Sequence, residues 1–146
     1  MNRSKAETLV SSMKADQLTH PELLAGVAQA ITATDGCDPM YKEFFGDFYD
    51  ESSLFIRKMA TFIGEFRGGV FSPDSIKEAF RLSHMIKGAS ATMGYRVISS
   101  MSGGIESLFA DVKEGRRQLA NSAIDQVESV MSLISEHLEE LKTANS

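Results

Sequence analysis

The stretch SAIDQVESVMSLISEHLEELK, residues Ser122–Lys142, decides the class of fold. Ile124, Val127, Met131, Ile134, Leu138 and Leu141 recur three and four residues apart, and most positions between them are acidic, polar or small. Side chains at those intervals share one face of an α-helix, because the chain turns about 100° per residue. Ser122 with Asp125 three residues on resembles a capping box, Asp standing in for the usual Glu, and sets the expected start of the helix.

Working back from that helix, the same period returns. A helix from about Tyr95 to Lys113 carries Ile98, Met101, Ile105, Leu108 and Val112 and stops at Gly115. Gly103 and Gly104 weaken its interior, which implies close packing or a local irregularity there. Another runs from about Pro73 to Met93 and ends near Gly94, and a fourth starts at Pro39. That one is marked by Tyr41, Phe44, Phe45, Phe48, Phe55, Ile56, Met59, Ile63 and Phe66, and Gly68-Gly69 ends it. Asp38-Pro39 and Ser72-Pro73 match a cap residue with proline at the first helical position; His20-Pro21 is a weaker version. No segment alternates with the period of two that a strand requires. Four amphipathic helices with short connections predict an all-α fold, an antiparallel four-helix bundle over residues 37–143 with a tail at 144–146. Residues 1–36 form an extension with one or two helical segments, around Leu9, Val10 and Met13 and around Leu23, Leu24, Val27 and Ile31. These either cap the bundle or pack outside it.

Composition narrows the function. The chain has 146 residues, enough for one domain with a real core, and its 42% hydrophobic and 24% charged content is that of a water-soluble protein. A net charge of −5 supplies no basic patch for nucleic acid. Cys37 is alone, which excludes an internal disulfide and a cysteine-rich metal site. No apolar run approaches the ~20 residues of a membrane span. MNRSKAETLV also lacks the apolar core of a signal peptide, so a cytoplasmic location without membrane partners is expected.

Within the helix beginning at Pro73, the facing of each residue follows from the 100° step. With Ile86 as reference, Ala79, Leu82, Ala89, Ser90 and Met93 fall within roughly 60°, the side expected to be buried. His84 lies roughly 160° away beside Lys77, Arg81, Gly88 and Ala91, on the solvent side. Gly88, one turn after His84, costs about 1 kcal/mol of helix propensity relative to alanine, and Ala91 is the next residue on that face. The surface beside the imidazole is bare, and Lys87 places a cation within a turn. An imidazole, a nearby ammonium and cleared space fit a nucleophile that accepts a phosphoryl group from an approaching protein. His20 and His137 form no metal-ligand spacing with His84, so no metal is expected.

HMIKGASATMG, residues 84–94, resembles the H-x-x-K-G-x(5)-G signature of histidine phosphotransfer domains, with His84, Lys87, Gly88 and Gly94 at the defined positions. The resemblance extends from roughly Met40 to Leu141. FRLSHMIKGASATMGY followed by SGGIESLFADVKEG is most similar to the subgroup at the N-terminus of chemotaxis histidine kinases of the CheA type. That subgroup implies that His84 is phosphorylated, that Glu106 on the next helix accepts its hydrogen bond and orients it, and that Lys87 offsets charge on the phosphoryl oxygens. Many relatives carry a histidine three residues before that glutamate; here the position is Gly103.

The expected function is a phosphorelay carrier in a two-component, chemotaxis-like system. Its partners would be a histidine kinase catalytic domain and a response-regulator receiver domain, docking over Arg81, Gly88 and Ala91. The chain has no Gly-rich nucleotide loop, so no cofactor is tightly bound, and Mg and ATP would be needed only by a partner. Whether the chain counts as an enzyme stays open. Two alternatives stand beside this reading. One is a helical adaptor that docks a receiver or kinase without transfer. The other is a sensor-kinase dimerisation domain, in which an acidic residue usually follows the histidine; Met85 does not match.

Overall fold

The computed structural model describes residues 1–146, and the chain is helical with no strand. Six α-helices follow one another: α1 (Arg3–Ala15), α2 (Pro21–Thr32), α3 (Phe45–Arg67), α4 (Pro73–Met93), α5 (Arg96–Lys113) and α6 (Asn121–Ala144). A 3-10 helix, Pro39–Phe44, leads directly into α3. Helices α3 to α6 pack in a ring as the expected antiparallel bundle, and α4 lies most extensively against α5. No helix is long and apolar enough to cross a membrane.

The apolar periodicities become the core. Phe48, Phe55, Met59, Ile63 and Phe66 of α3 meet Ile86 and Leu82 of α4, Ile98, Met101, Ile105 and Leu108 of α5, and the Ile124–Leu141 stripe of α6 in one buried cluster. Burying such a side chain contributes about 1.5–3 kcal/mol before the entropy cost of ordering the chain is subtracted. Phe44 departs from the expected core. The backbone from Pro39 to Phe44 is wound as a 3-10 helix and leaves Phe44 exposed, while Tyr41 and Phe45 are half-buried and pack against the core.

Cap expectations divide. Asp38 Oδ1 accepts from Met40 N at 2.9 Å, and the His20 imidazole caps α2 by accepting from Leu23 N at 3.3 Å. Ser72 occupies the N-cap of α4, but its hydroxyl makes no capping bond. The capping box at Ser122 is not formed. Helix α6 begins two residues earlier than that box requires, with Ala120 at its N-cap, and Asp125 faces Arg67 of α3 at 2.7 Å instead. An interhelix ion pair has taken the carboxylate that the local motif would have used.

The N-terminal helices are packed in, not loose. Helix α2 lies along α5 as the second most extensive helix pair, and α1 bridges α2 and α6. Glycine makes that approach possible. A Cβ on Gly26 would stand 2.5 Å from the Ser100 carbonyl oxygen, and one on Gly104 would stand 2.9 Å from that of Glu22. The Gly103-Gly104 pair therefore marks close packing, and α5 runs through it without a break. Gly94 has φ +82°, ends α4 and lies against the linker after α2; Gly36 N donates to its carbonyl at 2.9 Å. A side chain there would both strain the backbone and collide with Gly36.

Candidate functional site

Helix α4 turns Ile86, Leu82, Ala79, Ser90 and Met93 inward and presents His84, Lys77, Arg81, Gly88 and Ala91 to solvent. The His84 side chain is 67% exposed. Antiparallel packing of α4 on α5 brings Glu106 opposite it, with only 12% of that side chain exposed. The His84 Nδ1 meets Glu106 Oε2 in a short hydrogen bond, and Lys87 Nζ donates to Glu106 Oε1 at 2.8 Å. One carboxylate thus collects both groups named from the sequence.

The electrostatics follow from that arrangement. Burial works to raise the Glu106 pKa, but the hydrogen bonds from Lys87 and His84 and their charges outweigh it and hold the carboxyl below its usual range. An ionised carboxylate can only accept, so Nδ1 must carry the proton. In the neutral ring Nε2 then keeps its in-plane lone pair, and it makes no hydrogen bond within the protein.

The Lys87 stem lies along α5 over Gly103, where a Cβ would stand in ordinary contact 3.4 Å from Lys87 Cδ, and its ammonium reaches Glu106. Gly88 faces open space, with nothing within 4 Å of where its Cβ would be. Arg81 is exposed and held by Glu78 at 2.5 Å, with Nη1 3.1 Å from Met85 Sδ. Met85, 40% exposed, adds an apolar element to this face.

Sequence reasoning missed two neighbours of His84. Phe80, one turn earlier on α4, stacks against the imidazole with ring centroids 6.1 Å apart and planes 18° apart. Lys113, the last residue of α5, places Nζ 4.3 Å from the Phe80 centroid. The spacing of Phe80 and His84 signals their contact; nothing local signals Lys113. The remaining histidines are tied into the fold. His20 Nε2 donates to Asp111 Oδ2 at 2.8 Å, and His137 Nε2 donates to Asp35 Oδ2 at 2.6 Å. No group of three or more His, Cys, Asp or Glu residues is arranged to hold a metal ion.

Comparisons with known proteins agree with this geometry. The chain is 26% identical over 97 residues to the chemotaxis protein CheA of Borreliella burgdorferi, a match that covers 66% of this chain and 11% of that protein. The chain therefore spans about a tenth of the length of this curated relative. No solved structure matches it. The family description Hpt domain matches residues 43–144, which takes in α4, α5 and α6 with His84, Lys87 and Glu106. A bundle that exposes a carboxylate-paired histidine, together with that match over most of its length, makes this chain a member of the Hpt domain family.

Proposed function

We propose that the chain is a phosphorelay carrier of a two-component system, with His84 as the phosphoryl acceptor and donor. The supporting observation is the division of labour on the imidazole: Nδ1 is bound to Glu106, and Nε2 is open to solvent on a cleared helix face. The Nε2 lone pair attacks the γ-phosphorus of ATP held by a kinase catalytic domain. The Nε2–P bond forms as the P–O bond to ADP breaks, and ADP leaves. The ring acquires positive charge, which Glu106 stabilises through the Nδ1 proton. In the second step a receiver aspartate oxygen attacks the same phosphorus, the N–P bond breaks and the ring returns to neutral.

Lys87 sits one turn from His84 and is drawn to Glu106 in the resting protein. A dianionic phosphoryl group on Nε2 would compete for that ammonium, so Lys87 offsets charge where it accumulates. Arg81, Gly88, Ala91 and Met85 form the face on which the kinase domain and the receiver dock in turn. A chemotaxis setting is favoured by the likeness to CheA. ATP and Mg belong to the partners' sites in this scheme.

The test is to incubate the protein with ATP, Mg and a CheA-type kinase core and to follow acid-labile, base-stable phosphate. Labelling is expected on the native chain and not on His84→Gln, with both equally helical. Equal labelling of the variant would remove His84 from the reaction. Binding of the kinase core without any labelling would favour the adaptor reading.

A further inference from the structure

The hydrogen bond to Glu106 holds one edge of an imidazole that otherwise projects into water, and by itself it leaves the ring free to tilt about that bond. Reaction requires the Nε2 lone pair, which lies in the ring plane, to point along a fixed line toward phosphorus. A second constraint is present. The Phe80 ring lies nearly parallel to the imidazole, at an offset-stacking distance. Phe80 is only half-buried, and Lys113 holds it in turn through the ammonium over its face. The same ammonium pairs with the adjacent Glu114 carboxylate at 3.6 Å, beyond hydrogen-bond distance, while staying over the ring. Glu106 and Lys113 are seven residues apart on α5 and Phe80 and His84 four apart on α4, so each pair shares one face of its helix. The two helices thus grip the imidazole by two different contacts.

We propose that Phe80 and Lys113 are positioning residues for phosphoryl acceptance at His84: Phe80 sets the plane of the imidazole, and Lys113 acts through Phe80. This rests on His84 being the phosphoryl acceptor. It adds a requirement that the hydrogen bond to Glu106 does not meet, namely a fixed tilt of the ring.

Phosphoramidate, a small donor that needs no protein partner, isolates this step. Nε2 attacks its phosphorus, the Nε2–P bond forms, the P–N bond breaks and ammonia leaves with its proton. The second-order rate of labelling at His84 is measured for the native chain, Phe80→Leu, Lys113→Met, Lys113→Arg and the Phe80→Leu/Lys113→Met double variant. Thermal unfolding of each is followed in parallel. Phe80→Leu should slow labelling about 5- to 10-fold and remove the ring-current shift on the His84 ring protons. Lys113→Met should slow it about 2- to 3-fold, and Lys113→Arg should restore the native rate. The double variant should be no slower than Phe80→Leu alone, because Lys113 acts only through the ring. A native rate in Phe80→Leu would overturn the proposal. Additive losses in the double variant would also overturn it, by showing that Lys113 acts on the phosphoryl group directly. No labelling of the native chain by either phosphoramidate or a kinase core would instead sink the reading of His84 on which the proposal rests.

Discussion

The α4/α5 face and the junction of the N-terminal helices with the bundle are built from the same pair of groups, a histidine ring nitrogen against a carboxylate. At the junction, His20 is 2% exposed and uses both nitrogens, one as the cap of α2 and one on Asp111. His137, 7% exposed, donates to Asp35, whose other oxygen accepts from Val97 N at the start of α5. These pairs fasten α1, α2 and the following linker to the bundle. On the α4/α5 face, His84 has the same kind of partner but two-thirds of its surface in water and a free second nitrogen. Pairing with a carboxylate therefore does not make a histidine a nucleophile. In the proposed relay, access to the unpaired nitrogen does, and Gly88 and Ala91 leave the helix face beside it bare.

Five substitutions press on that contrast. Glu106→Gln keeps the shape but removes the charge that would stabilise the phosphorylated ring in the proposed relay. Labelling of His84 by a kinase core should fall about 10- to 100-fold, with the melting temperature little changed. An unchanged rate would reduce Glu106 to a surface support. His20→Ala should do the reverse. It removes a helix cap and leaves the Asp111 carboxylate without its buried partner, costing about 2 kcal/mol in denaturant unfolding. Labelling of the folded fraction should stay at the native rate. His84→Ala, by contrast, should move stability by no more than about 0.5 kcal/mol.

The fourth change concerns pH. Burial would raise the Asp35 pKa, but the hydrogen bonds from His137 and Val97 N–H, with the His137 charge, hold it below its ordinary 3.8. A carboxyl depressed in the folded state adds stability that is fully present above the unfolded value and is lost as pH falls through the folded one. Asp35→Asn should therefore flatten the loss of stability below pH 3.8. A curve of unchanged slope in acid would place the acid-sensitive carboxylates elsewhere. The smallest effect is expected at Gly88, where a side chain meets nothing. Gly88→Ala should stabilise α4 by about 0.5–1 kcal/mol, measured by thermal unfolding, and leave phosphoramidate labelling intact. Any slowing should be confined to transfer from a protein donor.

The parts of this molecule written in local spacing were legible in advance. The Ile124–Leu141 stripe shows α6, and the 100° step puts His84 outside and Ile86 inside. Asp38 and Gly94 punctuate helices where their chemistry requires. What depended on register between helices was not legible. Lys113 reaches Phe80 only because α5 runs antiparallel to α4 at one particular offset, and Asp125 leaves its expected capping role because Arg67 stands opposite on α3. The docking of α2 was hidden for a related reason. Gly26 and Gly104 weaken isolated helices, and their use as a point of backbone contact emerges only once both helices are in place. Glu106 became visible through a family signature, since an acidic residue on a helix flank is otherwise unremarkable.

The proposed relay turns on which nitrogen of His84 carries the phosphoryl group. The protein, labelled with nitrogen-15 in its histidines and phosphorylated by a kinase core or by phosphoramidate, should show phosphorus–nitrogen coupling at Nε2 of His84. Its Nδ1 should remain protonated against Glu106. Coupling at Nδ1, or on the ring of His20 or His137, would contradict the account.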